Sequence, residues 1–493
     1  MKGHDPAILE GHFVPETPAL PVTLDRESTT PLAVQLAEQL RAAAGDGRLR
    51  SGDRLPSTRA LAGELGVSRT VTAAAYEQLH AEGWIAGRHG SGTYITTAPP
   101  GSLPATPKPA RRDTALDTAV DLTPGSPWAG GIEQAAWRRA WRAAAHVPPM
   151  VRPNRAGLPE YRAAVAEHLL RHRGLRVGDG GHTRSRGTTH HFDGAPTEPI
   201  DVLLATGGTS SAVAELGRAV LRPGDVVAVE EPGYQRAVGA MRAAGLRVVP
   251  ATVDADGLLV DAIPPSVRAV YCSPAHQYPL GGRMSAGRRV ALVERAREQG
   301  WLVIEDDYDG ELRYDVAPLP LLAALAPDVV VHLGTTSKIL TPTLGIGWLV
   351  APPPVVTAVL AHRDATGLGP APAGQLVVVE LARNGDLGRH LRRLRRELSE
   401  RRSLVVETLV RGGVQVLGDD AGAHVVVPVE SAEAERVLVR AATERGLLLD
   451  GLARHHVGKA RWFGIALGYA ACSREQLKRA LPVLVELVGS PAG

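Results

Sequence analysis

Apolar positions are spaced differently in the two parts of the chain. Over residues 27 to 97 they recur at helical intervals. Leu32, Leu36 and Leu40 follow Thr30–Pro31, a good helix start, and fall on one face. Leu61 and Leu65 do the same in "LPSTRALAGELG", where Ser57 is placed to cap and Gly66 to turn the chain. In "SRTVTAAAYEQLHAEG" the spacing predicts Val71, Ala75 and Leu79 inward and Arg69, Thr70 and Ala73 outward. After Gly83, "WIAGRHGSGTYI" has apolar ends around a Gly-rich basic tip and predicts a two-stranded wing. Helix, turn and helix with polar residues opening the last helix is the arrangement in which a recognition helix meets base edges.

From about Leu122 the pattern changes to short apolar runs that alternate with amphipathic stretches, which predicts an α/β domain. The runs are "DVLLATGG", "DVVAVEEPG", "RAVYCSPA", "WLVIEDDYD" and "VVVHLGTT", each ending in Gly, Pro or polar residues. Loops at the carboxyl ends of such strands carry ligand chemistry. Between the two parts, "APPGSLPATPKPARR" holds five prolines and no apolar period, as a semi-extended linker does. The divisions expected are a DNA-binding head at 20–97, a linker at 98–118 and an effector unit at 119–493. The effector's large subdomain is expected at about 155–355 and its small one at 119–154 plus 356–493. A Gly, Thr, His and Arg-rich insert at 178–199 reads as a mobile loop, and its three histidines lack ligand-spaced carboxylate or cysteine partners.

At 493 residues the chain exceeds one core, and its 44% hydrophobic and 22% charged content is that of a soluble protein. Cys272 and Cys472 stand far apart in apolar surroundings, which fits buried reduced thiols and a cytoplasmic location. Neither a signal peptide nor a membrane span is expected from the pattern. Net charge is only +3, and residues 25 to 97 balance eight arginines with eight acids, so DNA binding must rest on local arrangement.

The basic residues show one further bias. Of 55 Lys plus Arg only five are lysine, and one of these, Lys338, follows a strand-like run in "GTTSKILTPTLGIGWLVAP". A lysine kept against such a bias suits a task that guanidinium cannot perform, such as losing its proton and attacking a carbonyl. At the other strand ends stand Asp306 and Tyr308, a helix-opening Gly208, Thr209 and Ser210, and Tyr234 as an aromatic plate. With Thr335 and Ser337 beside Lys338, each feature suits one part of pyridoxal 5'-phosphate.

The continuous match of "LPSTRALAGELGVSRTVTAAAYEQLHAEGWI" and "RHGSGTYI" resembles the winged helix-turn-helix of GntR-type bacterial regulators. With "AGLPEYRAAVAEHLLRHRGLRV", "LRPGDVVAVEEPGY", "SPAHQYPLGGRMS" and the lysine stretch, the whole chain resembles the MocR subfamily, in which such a head is fused to a fold-type I aminotransferase-like domain. The resemblance implies that Ser57, Arg59, Ser68, Arg69 and Thr70 contact operator DNA, with Arg88, His89 and Gly90 of the wing reaching the minor groove. It implies a Schiff base on Lys338, Asp306 against the pyridine nitrogen, Tyr308 on the ring hydroxyl, Tyr234 stacked on the ring, and His276 with Gln277 near its edge. A head-to-tail homodimer and an amino-compound effector are implied as well. Arg454 and Arg461 are the residues considered for a substrate carboxylate.

Two departures bear on the cofactor. Seven residues after Lys338, where the family carries an arginine that clamps the phosphate, stands Gly345. Where relatives carry a tyrosine that reaches the partner subunit's phosphate, the chain has Arg152. The expectation is that Arg152 supplies from the neighbouring subunit the charge that Gly345 removes. A turning-over aminotransferase and a regulator with an empty pocket remain the alternatives.

Overall fold

The computed structural model describes residues 20, 22–88, 92–96, 119–152, 154–177, 202–314 and 319–489, with the backbone alone for Arg88. The chain divides into two compact units at Arg112/Asp113. The expected linker and the 178–199 insert, histidines included, lie outside the described residues, as do His89 and Gly90.

In the first unit, helices Leu32–Gly45, Thr58–Leu65 and Arg69–Ala81 precede strands Ile85–Arg88 and Gly92–Ile95. Arg54–Leu55 adds a third strand against Gly92–Ile95, so the wing is anchored beneath the helices. Ser57 caps the second helix by accepting from the Ala60 N–H at 3.1 Å, and Gly66 ends it at φ 61°. The third helix buries Ala75 and Leu79 as expected, but Thr72 is buried in place of Val71 and Tyr76 joins the inward face. Thr72, Ala75, Tyr76 and Leu79 point inward, while Val71 and Ala73 are half-buried. Two polar residues tolerate that interior because each has a carbonyl partner: Thr72 Oγ1 donates to Thr58 O at 2.8 Å and Tyr76 OH to Pro56 O at 2.9 Å.

The second unit is built on an eight-stranded sheet, in the order 203–206, 347–350, 330–335, 302–307, 269–272, 226–231, 247–254 and 257–258. Strands 226–231, 247–254, 269–272, 302–307 and 330–335 run parallel, as their registers show. Strand 347–350 is antiparallel to both its neighbours, which sets 203–206 in the common direction. All five strand-like runs therefore open on one edge. Side chains alternate between two cores: Leu203, Ala205 and Ala228 pack on one face, and Leu204, Val227 and Val229 on the other.

A smaller antiparallel sheet pairs 424–428 with 464–468 and 450–451. Val120–Asp121, the first strand after the linker region, pairs with Leu447–Leu448. Both cysteines are buried and free. Among the described residues, no helix is long and apolar enough to cross a membrane.

Candidate cofactor site and DNA-reading face

The alternation of a strand's side chains sets the centre of the site. Asp306 and Asp307 end the strand 302–307 and face opposite sides of the sheet. Asp307 is matched by the buried guanidinium of Arg173, with Nε at 2.9 Å from Oδ2 and Nη2 at 2.6 Å from Oδ1. Among the described residues no guanidinium pairs with Asp306 in this way. The Tyr271 hydroxyl, on the neighbouring strand, donates to Asp306 Oδ2, while the buried Oδ1 has no hydrogen-bond partner among the described residues. Burial pushes the Asp306 carboxyl up to about 7. A buried carboxylate oxygen left open in this way suits a cationic N–H from a bound molecule.

Lys338 lies three residues beyond the strand 330–335. Its Nζ donates to Gly125 O at 2.6 Å, and that carbonyl belongs to the loop after the strand Val120–Asp121. Desolvation pulls the amine below the usual lysine range, against the attraction of Asp309 and Asp306. A larger share of neutral, nucleophilic amine at neutral pH results.

Helix Thr209–Ala219 opens at Gly208, φ 102°, and no side chain caps its first N–H groups. A Cβ at Gly208 would stand 3.5 Å from Thr335 Oγ1, which itself donates to Ser337 Oγ at 2.9 Å. Gly208, Thr209, Ser210, Thr335 and Ser337 thus form one cup of small donors at a helix start, the setting that holds phosphate. Arg363 braces the helix from behind, pairing with Glu215 at 2.5 and 2.7 Å and donating to Ala205 O at 2.9 Å. Gly345 ends a short 3-10 turn beside the cup at φ 58°, and a Cβ there would meet nothing within 4 Å. The place where an arginine would stand is open space.

Tyr234 OH lies 3.2 Å from Ser210 Oγ, which ties the aromatic plate to the cup. Tyr308 OH lies 3.0 Å from His276 Nδ1, which is also 2.9 Å from Asp309 Oδ2. Gln277 faces the backbone instead: its Nε2 donates to Pro232 O and Tyr278 O, each at 2.8 Å, and its Oε1 accepts from Leu280 N. Tyr278 stacks edge-on against Tyr234, Tyr308, His424 and His455, linking the strand ends to the smaller sheet.

Three further residues were singled out in the sequence. Arg454 is tied through both Nε and Nη2 to Asp450. The exposed side chains of Arg152 and Arg461 have no hydrogen bond or ion pair among the described residues. Asp309, Tyr271 and Gly125 were not foreseen. Asp309 belongs to the same acidic run as Asp306, and only the geometry separates their roles.

On the first unit, Arg59, Ser68, Arg69 and Thr70 are all exposed around the start of the helix Arg69–Ala81. Ser68 precedes that helix without using its hydroxyl as a cap, which leaves the hydroxyl for another partner. Ser57 lies nearby with its oxygen engaged in its own cap.

A winged helix-turn-helix joined to an aminotransferase-like α/β unit defines a DNA-binding regulator of transcription. Residues 32–95 match the family described as bacterial regulatory proteins, gntR family, and residues 134–484 match aminotransferase class I and II. The chain is 33% identical over 473 residues to the HTH-type pyridoxine biosynthesis transcriptional regulator PdxR of Corynebacterium glutamicum, covering 95% of this chain and 98% of that one. It is 30% identical over 485 residues to the probable rhizopine catabolism regulatory protein MocR of Rhizobium meliloti, covering 93% and 94%. Among solved structures, the fold is shared with an archaeal alanine:glyoxylate aminotransferase (TM-score 0.67, 24% identity, 76% of this chain and 96% of that one). It is shared as well with the multiple substrate aminotransferase of Thermococcus profundus (TM-score 0.66, 22% identity, 76% and 93%). The chain belongs to the MocR subfamily of GntR-type transcriptional regulators.

Proposed function

We propose that the aminotransferase-like unit is a sensor that binds pyridoxal 5'-phosphate on Lys338, and that binding of the cofactor, or of an amino compound through it, changes how the protein engages its operator. The observation that carries this reading is the buried, unpartnered Asp306 Oδ1 in the same site as a desolvated lysine amine. When bound, pyridoxal phosphate supplies an aldehyde that condenses with an amine and a ring nitrogen that takes up a proton. Asp306 would hold that N–H, the cup at Gly208–Ser210 with Thr335 and Ser337 would hold the phosphate, and Tyr234 would lie against the ring. Tyr308, set by His276 and Asp309, would meet the ring hydroxyl. The pyridoxine biosynthesis role in the name of the Corynebacterium relative supports the vitamer itself as the sensed compound.

The cup holds only neutral donors, so a dianionic phosphate calls for a cation from outside it. Our reading is a cytoplasmic head-to-tail homodimer in which the partner subunit's Arg152 supplies that cation. Its exposure, with no ion pair or hydrogen bond of its side chain among the described residues, supports this reading. Arg152→Ala is expected to weaken cofactor binding by one to two orders of magnitude, about the worth of one charge-assisted contact. Titration of the cofactor's absorption measures it, and an unchanged affinity refutes the exchange.

Footprinting the full chain on the intergenic DNA beside its own gene tests the function as a whole. Protection is expected over two half-sites read by the two heads, with a pattern that changes when pyridoxal phosphate is added. A ligand can shift such an equilibrium only if it binds the two arrangements unequally. Identical protection with and without the vitamer, at concentrations that saturate the site, contradicts the sensor reading.

A further inference from the structure

The edge of the large sheet opposite the cofactor site carries a concentration of arginine that this reading does not use. Arg218 and Arg242 lie in the last turns of helices Thr209–Ala219 and Gln235–Ala243. Arg222 sits in the turn into the strand 226–231, Arg247 opens the strand 247–254, and Arg268 immediately precedes the strand 269–272. The backbone brings these positions together. Arg247 N donates to Asp225 O at 2.9 Å, Arg268 N to Val226 O at 2.8 Å, and Leu302 N to Arg268 O at 3.0 Å. Arg222 and Arg268 line an open groove of about 360 Å³ at this edge, together with Val220, Leu221, Asp225, Gly300 and Leu302.

All five guanidinium groups are exposed, and none forms an ion pair among the described residues. Arg173 and Arg363 in the same unit, by contrast, are locked onto carboxylates. The one acid lining the groove, Asp225, accepts from Arg222's own backbone N–H at 2.8 Å. In the head, eight arginines over residues 25–97 are balanced by eight acids, and Arg41 and Arg48 are paired with Glu82 and Asp46.

A cluster of unpaired, exposed guanidinium groups on a neutral-headed DNA-binding protein is chemically matched to the phosphate backbone, which guanidinium grips in a fork and which releases counterions on contact. We propose that this arginine pole is a second DNA-binding surface, one that holds the backbone of duplex flanking the operator without reading its sequence. The strand 226–231 separates the pole from Tyr234 by about 20 Å at 3.3 Å per residue, so DNA seated there leaves the cofactor site accessible. The proposal rests on DNA binding by the head and is independent of whether the lysine holds a vitamer.

The test uses the full-length protein with Arg222→Gln, Arg247→Gln and Arg268→Gln combined. Affinity is measured against salt on two duplexes, one trimmed to the footprinted half-sites and one extended by about 20 base pairs, two helical turns, on each side. On the long duplex the slope of log affinity against log salt is expected to become shallower by about 0.9 for each contact removed, up to about 2.7 in all. On the short duplex the slope is expected to stay as in the wild type, and an unchanged melting temperature and cofactor absorption verify the fold. Equal slopes for variant and wild type on the long duplex overturn the proposal, as does an equal loss on both lengths. Unchanged DNA binding with a defect in transcription in vitro also overturns it, by assigning the pole to an acidic protein partner. Arg69→Ala serves as the control for the head and is expected to weaken both duplexes alike.

Discussion

Lys338→Ala is expected to abolish both the visible absorption and the borohydride-stable attachment of pyridoxal phosphate to the protein, and to leave operator footprints that no longer respond to the vitamer. The loss should be complete, because the effect depends on a single atom. Lys459 and Lys478 are exposed, and neither belongs to the strand ends where Asp306, Tyr308 and the Gly208 cup converge. Burial also lowers the proton affinity of the Lys338 amine, so that amine is the one prepared to attack an aldehyde near neutral pH. Mass spectrometry of reduced, digested protein is the direct measurement. A modified peptide containing Lys459 or Lys478 with Lys338 untouched would place the site elsewhere.

Asp306→Asn is expected to move binding and stability in opposite directions. Replacing the carboxylate by an amide removes a charge-assisted bond to a protonated ring nitrogen, which is worth about 1.5 to 3 kcal/mol, or roughly tenfold to a hundredfold in affinity. The ligand-free protein responds differently. The folded-state value of about 7 lies above the ordinary 3.8, so the folded chain holds this proton more tightly than the unfolded chain does. That contribution to stability is fully present below pH 3.8 and is lost as pH rises through 7. Asparagine needs no such proton. Ligand-free Asp306→Asn should therefore melt above the wild type at pH 8, with the difference shrinking towards pH 4. Saturating vitamer should reverse the order at pH 8. Thermal melts at the two pH values, with and without ligand, check all of this, and a ligand-free variant less stable than wild type at pH 8 refutes it.

Much of this site was legible because α/β sheets gather chemistry at strand ends, and strand ends are visible as apolar runs that stop. The runs containing Leu203, Val226, Ala269, Leu302 and Val330 all became strands of one sheet, with Gly208, Tyr234, His276 and Lys338 beyond their carboxyl ends and Asp306 at the second-last position of its strand. Contacts between residues distant in sequence were not legible. Tyr271 meets Asp306 only through strand register, and Gly125 is 213 residues from Lys338 in the chain. On the third helix Ala75 and Leu79 were read correctly, while Thr72 and Tyr76 were missed because they look polar until Thr58 O and Pro56 O are seen to accept their hydroxyl protons. Gln277 was grouped with its neighbour His276, and only the fold shows its amide turned to the backbone.

The bond from Lys338 Nζ to Gly125 O gives the sensor a mechanical side. Gly125 lies a few residues after the expected linker in sequence, and its carbonyl accepts an N–H that the amine would give up, with the aldehyde oxygen leaving as water, if it condensed with an aldehyde. If the lysine captures the vitamer as proposed, that bond would be given up, and the loop after the strand Val120–Asp121 would be the first part of the effector unit to lose a contact.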